Sequence, residues 1–115
     1  MRVLTLGCVT IAMLAAGLMN SATLRAEAVR VTGRMDSVNL QHFSCNEIHR
    51  TRVVKRVCYD GVYDYLLVLI GKKYLHYCTV DDAAIHKFLD APNKDRHYDR
   101  FVKNRFSCRG KKLPT

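Results

Sequence analysis

Residues 65–70, YLLVLI, are apolar at every position, with Asp60-Gly61 shortly before them and Gly71 directly after. Six residues between turn formers is strand length rather than helix length. A strand with no polar face must be covered on both sides, so this one belongs in the middle of a sheet. Its neighbours follow from composition. Residues 53–59 are rich in β-branched and aromatic side chains and end at the Asp60-Gly61 turn. After a tight turn at Gly71-Lys72-Lys73, residues 74–80 alternate: Tyr74, His76, Cys78 and Val80 share one face, Leu75, Tyr77 and Thr79 the other. The three runs read as an antiparallel meander, which is stable only with something packed against it.

That covering layer lies downstream, where the period changes from two to 3.6. Thr79-Val80-Asp81-Asp82 has the cap and acid chemistry of a helix start. Ala84, Ile85, Phe88 and Leu89 form an apolar stripe, and Ala91-Pro92 ends the helix. Asn93 caps a second helix that runs to Phe106, with Tyr98, Phe101, Val102 and Phe106 on its buried face. The fold class is therefore α+β: a small three-stranded antiparallel meander followed by two helices packed on one face. Residues 40–48 add a fourth, edge strand if Cys45 ties them down. Phe88, Leu89, Phe101 and Val102 are expected to pack on the meander.

Upstream, a short basic start precedes an uncharged apolar run over residues 3–19, and Ala26-Glu27-Ala28 has the A-x-A form of a cleavage site. Residues 1–28 read as a secretory signal peptide cut before Val29. The run is shorter than the ~20 apolar residues that span a bilayer, so no membrane span is expected after its removal. A lipoprotein reading through Cys8 fails, because that cysteine precedes most of the apolar run. Residues 29–39 read as a flexible lead-in, since Gly33 interrupts their one alternating piece, residues 40–108 as the domain, and residues 109–115 as a free basic tail. No repeat or low-complexity tract is present.

Loss of the signal removes Cys8 and leaves Cys45, Cys58, Cys78 and Cys108. An even cysteine count in a small exported chain implies a disulfide framework in the bacterial periplasm or outside the cell. No pair has the C-x-x-C spacing of a zinc site. First and third strands of a meander lie about 9–10 Å apart, twice the strand spacing. A disulfide needs Cα atoms about 4.4–6.8 Å apart, which disfavours Cys58–Cys78. Two pairings stay open: Cys45–Cys58 with Cys78–Cys108, or Cys45–Cys78 with Cys58–Cys108.

The order strand–strand–strand–helix–helix, with Tyr59-Asp60, Leu66-x-Val68, Gly71, and Tyr77 with Val80, resembles the KTSC domain, named for the C-terminus of some lysyl-tRNA synthetases. Ala91, Tyr98, Val102, Lys103 and Phe106 extend the match to the last helix. Leu75, Asp81, Asn93, Asp95 and Asp99 stand where the family pattern has Tyr, Pro, Ser, Gly and Asn. The resemblance covers residues 53–106. It implies a small binding or interaction module rather than an enzyme, with RNA as the partner suggested by the synthetase context.

The residues after the signal carry 17 Lys and Arg against 9 acids, a net charge of +8. Such a surplus points to anionic partners: an acidic protein surface, an envelope component or nucleic acid. Arg96, Arg100 and Lys103, at i, i+4 and i+7 of the second helix, form a basic stripe opposite its apolar face and are the candidate docking residues. Arg105 falls on the apolar side. Tyr63 is the tyrosine best placed for exposure, while Tyr77 and Tyr98 suit the core edge. The alternative class is a small secreted ribonuclease-like hydrolase with His76 and His97 as acid and base, which requires the two to converge on one cleft. No metal site is expected from His42, His49, His76 or His86, for lack of a helical ligand pairing, and the absence of a glycine-rich phosphate loop leaves no cofactor implied.

Overall fold

The computed structural model describes residues 27–114, and the apolar run and most of the expected signal peptide lie outside them. The sheet is built around the all-apolar strand. In chain order the strands are β1 (Ala28–Arg30), β2 (Ser37–Asn39), β3 (Ser44–Glu47), β4 (Val54–Asp60), β5 (Tyr65–Ile70) and β6 (Lys73–Tyr77). Strands β3-β4-β5-β6 form a four-stranded antiparallel sheet in sequence order, and β1 and β2 pair as a separate antiparallel ribbon. The meander of β4 to β6 thus gains β3 as its edge strand.

Two layers cover β5. Leu66 and Val68 face a core with Val54, Val57, Tyr77, Val80, Ile85, Phe88, Tyr98 and Val102, while Tyr65 and Leu67 face a second core with Val31, Val38, Leu40, Cys58 and Cys78. Helices supply the first cover and the N-terminal ribbon the second. The flexible lead-in expected over residues 29–39 is therefore corrected: Val31 and Val38 are buried, and Thr32 donates its N–H to the Tyr74 carbonyl at 2.8 Å. Three-residue strands around Gly33 are too short to show a period, but the bare second face of β5 holds them down.

Local backbone features decide which face each side chain takes. A bulge between Val54 and Arg56 shifts the β4 register by one residue. Val54 and Val57 thereby share the helix-side core, while Arg56 and Cys58 turn to the ribbon side. Thr79 takes φ +55°, which ends the alternation of β6 and sends Val80 to the helix side instead of the face of Tyr74, His76 and Cys78. The Tyr59 hydroxyl locks this bend by donating to the Val80 carbonyl at 2.6 Å. Burial and the nearby Asp64 carboxylate push its pKa up to about 12, so it remains a donor throughout the physiological range.

Helix α1 (Asp82–Asp90) matches its expected limits, with the Asp81 carboxylate accepting from the Ala84 N–H at 2.9 Å as the cap. Ile85 and Phe88 are buried, and Ala84 and Leu89 pack against the same core. The second helix is shorter than expected. Asn93 caps α2 (Lys94–His97), which continues as a π-helical turn over Tyr98–Val102, and Phe106 takes φ +59°. The wider π turn, marked by the Lys103 N–H to Tyr98 carbonyl bond at 2.8 Å, keeps Tyr98 and Val102 on one face. It rotates Phe101 out to 50% exposure, so the expected packing of Phe101 on the meander is not found. Phe101 packs at a tilt against His97 instead, ring centroids 4.9 Å apart, with the Arg105 guanidinium 6.0 Å from its ring centre.

The disulfides are Cys45–Cys58, directly opposite each other in β3 and β4, and Cys78–Cys108, which ties the chain beyond α2 to the end of β6. Both bonds fit an oxidising compartment. The tail is held as well, since Leu113 packs against the ribbon-side core.

Two outcomes are expected. Peptide mapping without reductant should recover the pairs Cys45–Cys58 and Cys78–Cys108 and no free thiol. Phe88→Ala should cost roughly 3–5 kcal/mol in urea denaturation, whereas Phe101→Ala should stay within about 1 kcal/mol of the parent.

Candidate anion-binding groove

The loop between β3 and β4 folds back against the start of α2, and one carboxylate holds it there. Asp95 accepts three consecutive backbone N–H groups: Arg52 at 2.8 Å, Val53 at 3.2 and 3.3 Å, and Val54 at 2.9 Å. Inside the loop the Thr51 hydroxyl donates to the Val54 carbonyl, and Lys55 Nζ donates to the Thr51 carbonyl at 2.8 Å. Arg50 sits at the reversal with φ +62°. Burial works to raise the Asp95 carboxyl, but the three N–H donors, with Lys55 nearby, outweigh it and bring it below the ordinary carboxylate range.

The clamp brings loop and helix cations to one groove of about 980 Å³, lined by His49, Arg50, Arg52, Lys94, Arg96 and Arg100. Three acids also line it: Glu47, Asp95 and Asp99. Each is already engaged. Glu47 lies 2.6 Å from Arg56, Asp95 holds the loop backbone, and Asp99 lies 3.8 Å from Lys103. Among the described residues no carboxylate is within ion-pair distance of Arg50, Arg52, Arg96 or Arg100. The groove therefore carries a positive charge that the fold itself leaves uncompensated.

The stripe expected at Arg96, Arg100 and Lys103 is split. Arg96 and Arg100 line this groove, but Lys103 lines a second one with His76, Arg105 and Arg109. The cause is again the π turn, which breaks the i, i+4, i+7 alignment after Arg100. Arg50 and Arg52 are the residues that sequence reasoning missed. Their signal is the run His49-Arg50-Thr51-Arg52, two arginines one residue apart between β3 and β4.

His76 and His97 do not meet. His76 is on the ribbon side of the sheet, its Nδ1 2.9 Å from the Tyr65 hydroxyl, while His97 stacks on Phe88 in the helix layer. Arg34 donates to the Tyr65 oxygen at 3.3 Å and to the Asp36 carboxylate at 2.8 and 3.0 Å, which ties Tyr65 and His76 into the ribbon-side polar network. Burial, then the Arg34 charge, lowers the His76 pKa, and burial with Lys87 lowers that of His97. His86 has a one-turn neighbour the sequence reading overlooked, Asp82 at 3.3 Å, yet the described residues contain no group of three metal-donor side chains. Tyr63 is exposed, and Tyr77 and Tyr98 are buried with their hydroxyls 2.6 Å apart.

No family model matches the chain, and no curated protein or solved structure does either.

Asp95 sets a pH dependence. Its pKa is lower folded than unfolded, so its contribution is complete above the unfolded value near 3.9 and fades as pH falls through the folded value. Asp95→Asn should lose about 1–3 kcal/mol at pH 7 through the weakened loop bonds. Paired urea titrations should show the gap to the parent narrowing below pH 4.

Proposed function

We propose that this protein is an exported, non-catalytic binding module whose partner is a polyanion held in the groove between the β3–β4 loop and α2. The observation that carries this reading is the set of four arginines, two from each wall, with every lining carboxylate occupied elsewhere. Guanidinium groups present paired N–H donors to phosphate or carboxylate, and four around one groove engage successive anionic groups of a linear partner. The two disulfides support export to the periplasm or the extracellular space. The resemblance to the KTSC domain belongs to this proposal and is supported by the order of β4, β5, β6 and the two helices. The ribonuclease-like alternative rested on His76 and His97 acting together, and their placement on opposite sides of the sheet gives it no support.

Binding of this kind releases counterions and weakens steeply with salt. Heparin and an RNA oligonucleotide, titrated across a salt series, serve as probes. Arg50→Glu with Arg96→Glu and Arg100→Glu should abolish most of the affinity and flatten the salt slope by roughly one unit per lost contact. Lys103→Glu, outside the groove, should change little. Loss of binding on Lys111→Glu with Lys112→Glu, with the groove reversal silent, would move the docking site to the tail.

A further inference from the structure

Glu27 and Ala28, the residues that a cut before Val29 would discard, are part of the folded protein. Ala28 opens β1 and pairs with Asn39, and the Glu27 carbonyl accepts the Leu40 N–H at 2.8 Å. The Glu27 carboxylate grips Arg56 with both oxygens, at 2.9 and 3.1 Å. Arg56 has only 18% of its side chain exposed, between the sheet and the ribbon, where the Tyr74 hydroxyl at 3.0 Å and Glu47 complete its surroundings. A guanidinium in such a place depends on its carboxylates, because removing one partner leaves charge that water does not fully reach. A chain starting at Val29 would lose the bidentate partner of Arg56, the first pair of the ribbon and the bond that fixes Leu40.

We infer that the export leader is removed at the Ala26–Glu27 bond, so that the mature protein begins at Glu27. The step is hydrolysis by a leader peptidase: water adds across the amide, leaving a carboxylate on Ala26 and an ammonium group on Glu27. Both cuts place alanine directly before the scissile bond, but the residue two places further upstream is Leu24 for the earlier cut and Ala26 for the later one, so the small-residue pattern favours the later cut. The folded ribbon favours the earlier one. Only the earlier cut delivers the complete β1 and both carboxylates of Arg56. The inference rests on the export reading, and the mature net charge becomes +7 because Glu27 is retained.

Expression of the full chain in an exporting bacterial host, followed by intact mass and N-terminal sequencing of the exported product, tests the site directly. A product beginning at Glu27 is expected. A product beginning at Val29 overturns the inference while leaving export intact, and a product retaining Met1 overturns both. A second measurement uses Glu27→Gln in the same full chain. The exported variant should melt several degrees lower than the parent, and an unchanged melting temperature would remove the structural reason for keeping Glu27.

Discussion

The need to cover both faces of β5 organises this protein. An all-apolar strand in an antiparallel sheet leaves no side for water, and at about 25 cal/mol per Å² of apolar surface a bare face would cost several kcal/mol. Helix α1 and the segment beyond it cover one face through Ile85, Phe88, Tyr98 and Val102. On the other face the cover is a ribbon of two three-residue strands, which has little stability of its own. The ribbon is held by Val31, Val38 and Leu40 in the second core and by Glu27 on Arg56. The disulfides fasten the edge strand β3 to β4 and the chain beyond α2 to the end of β6.

The groove follows from the same economy of polar groups. Three successive backbone N–H groups at the end of the β3–β4 loop and the start of β4 need acceptors, and one carboxylate from α2 serves them all. Once Asp95 is committed to the backbone it is no longer a counter-ion for the arginines beside it. Glu47 and Asp99 are drawn off by Arg56 and Lys103. Solvent and salt make this separation of charge inexpensive at an exposed surface, where ion pairs contribute little. Accordingly the fold tolerates a positive groove that an anionic partner would neutralise.

The π turn links the packing to the surface. It satisfies the core by keeping Tyr98 beside Tyr77 and Val102 beneath the helix layer. Its effect outside is to turn Phe101 toward solvent and to part Lys103 from Arg96 and Arg100. One inserted residue in the hydrogen-bond ladder thus changes both the apolar and the basic face.

Local chemistry was enough to place the central strand, its two neighbours, a helix start within residues 79–82, the Asn93 cap and the apolar stripe of α1. Each depends on spacing and turn preference within a few residues. The cysteine pairing was half legible: strand spacing argued against Cys58–Cys78, but only the adjacency of β3 and β4 selected Cys45–Cys58. The ribbon was hidden because its strands are too short to carry a period, and a distant apolar face orders them. Half of the groove was readable in Arg96 and Arg100, since they follow a helical repeat. Arg50 and Arg52 join them only through the Asp95 clamp, a contact across more than forty residues that no local pattern encodes. What a residue does within one turn of backbone was written in the sequence, whereas which distant groups share a groove was decided by how the covered sheet brings its edges together.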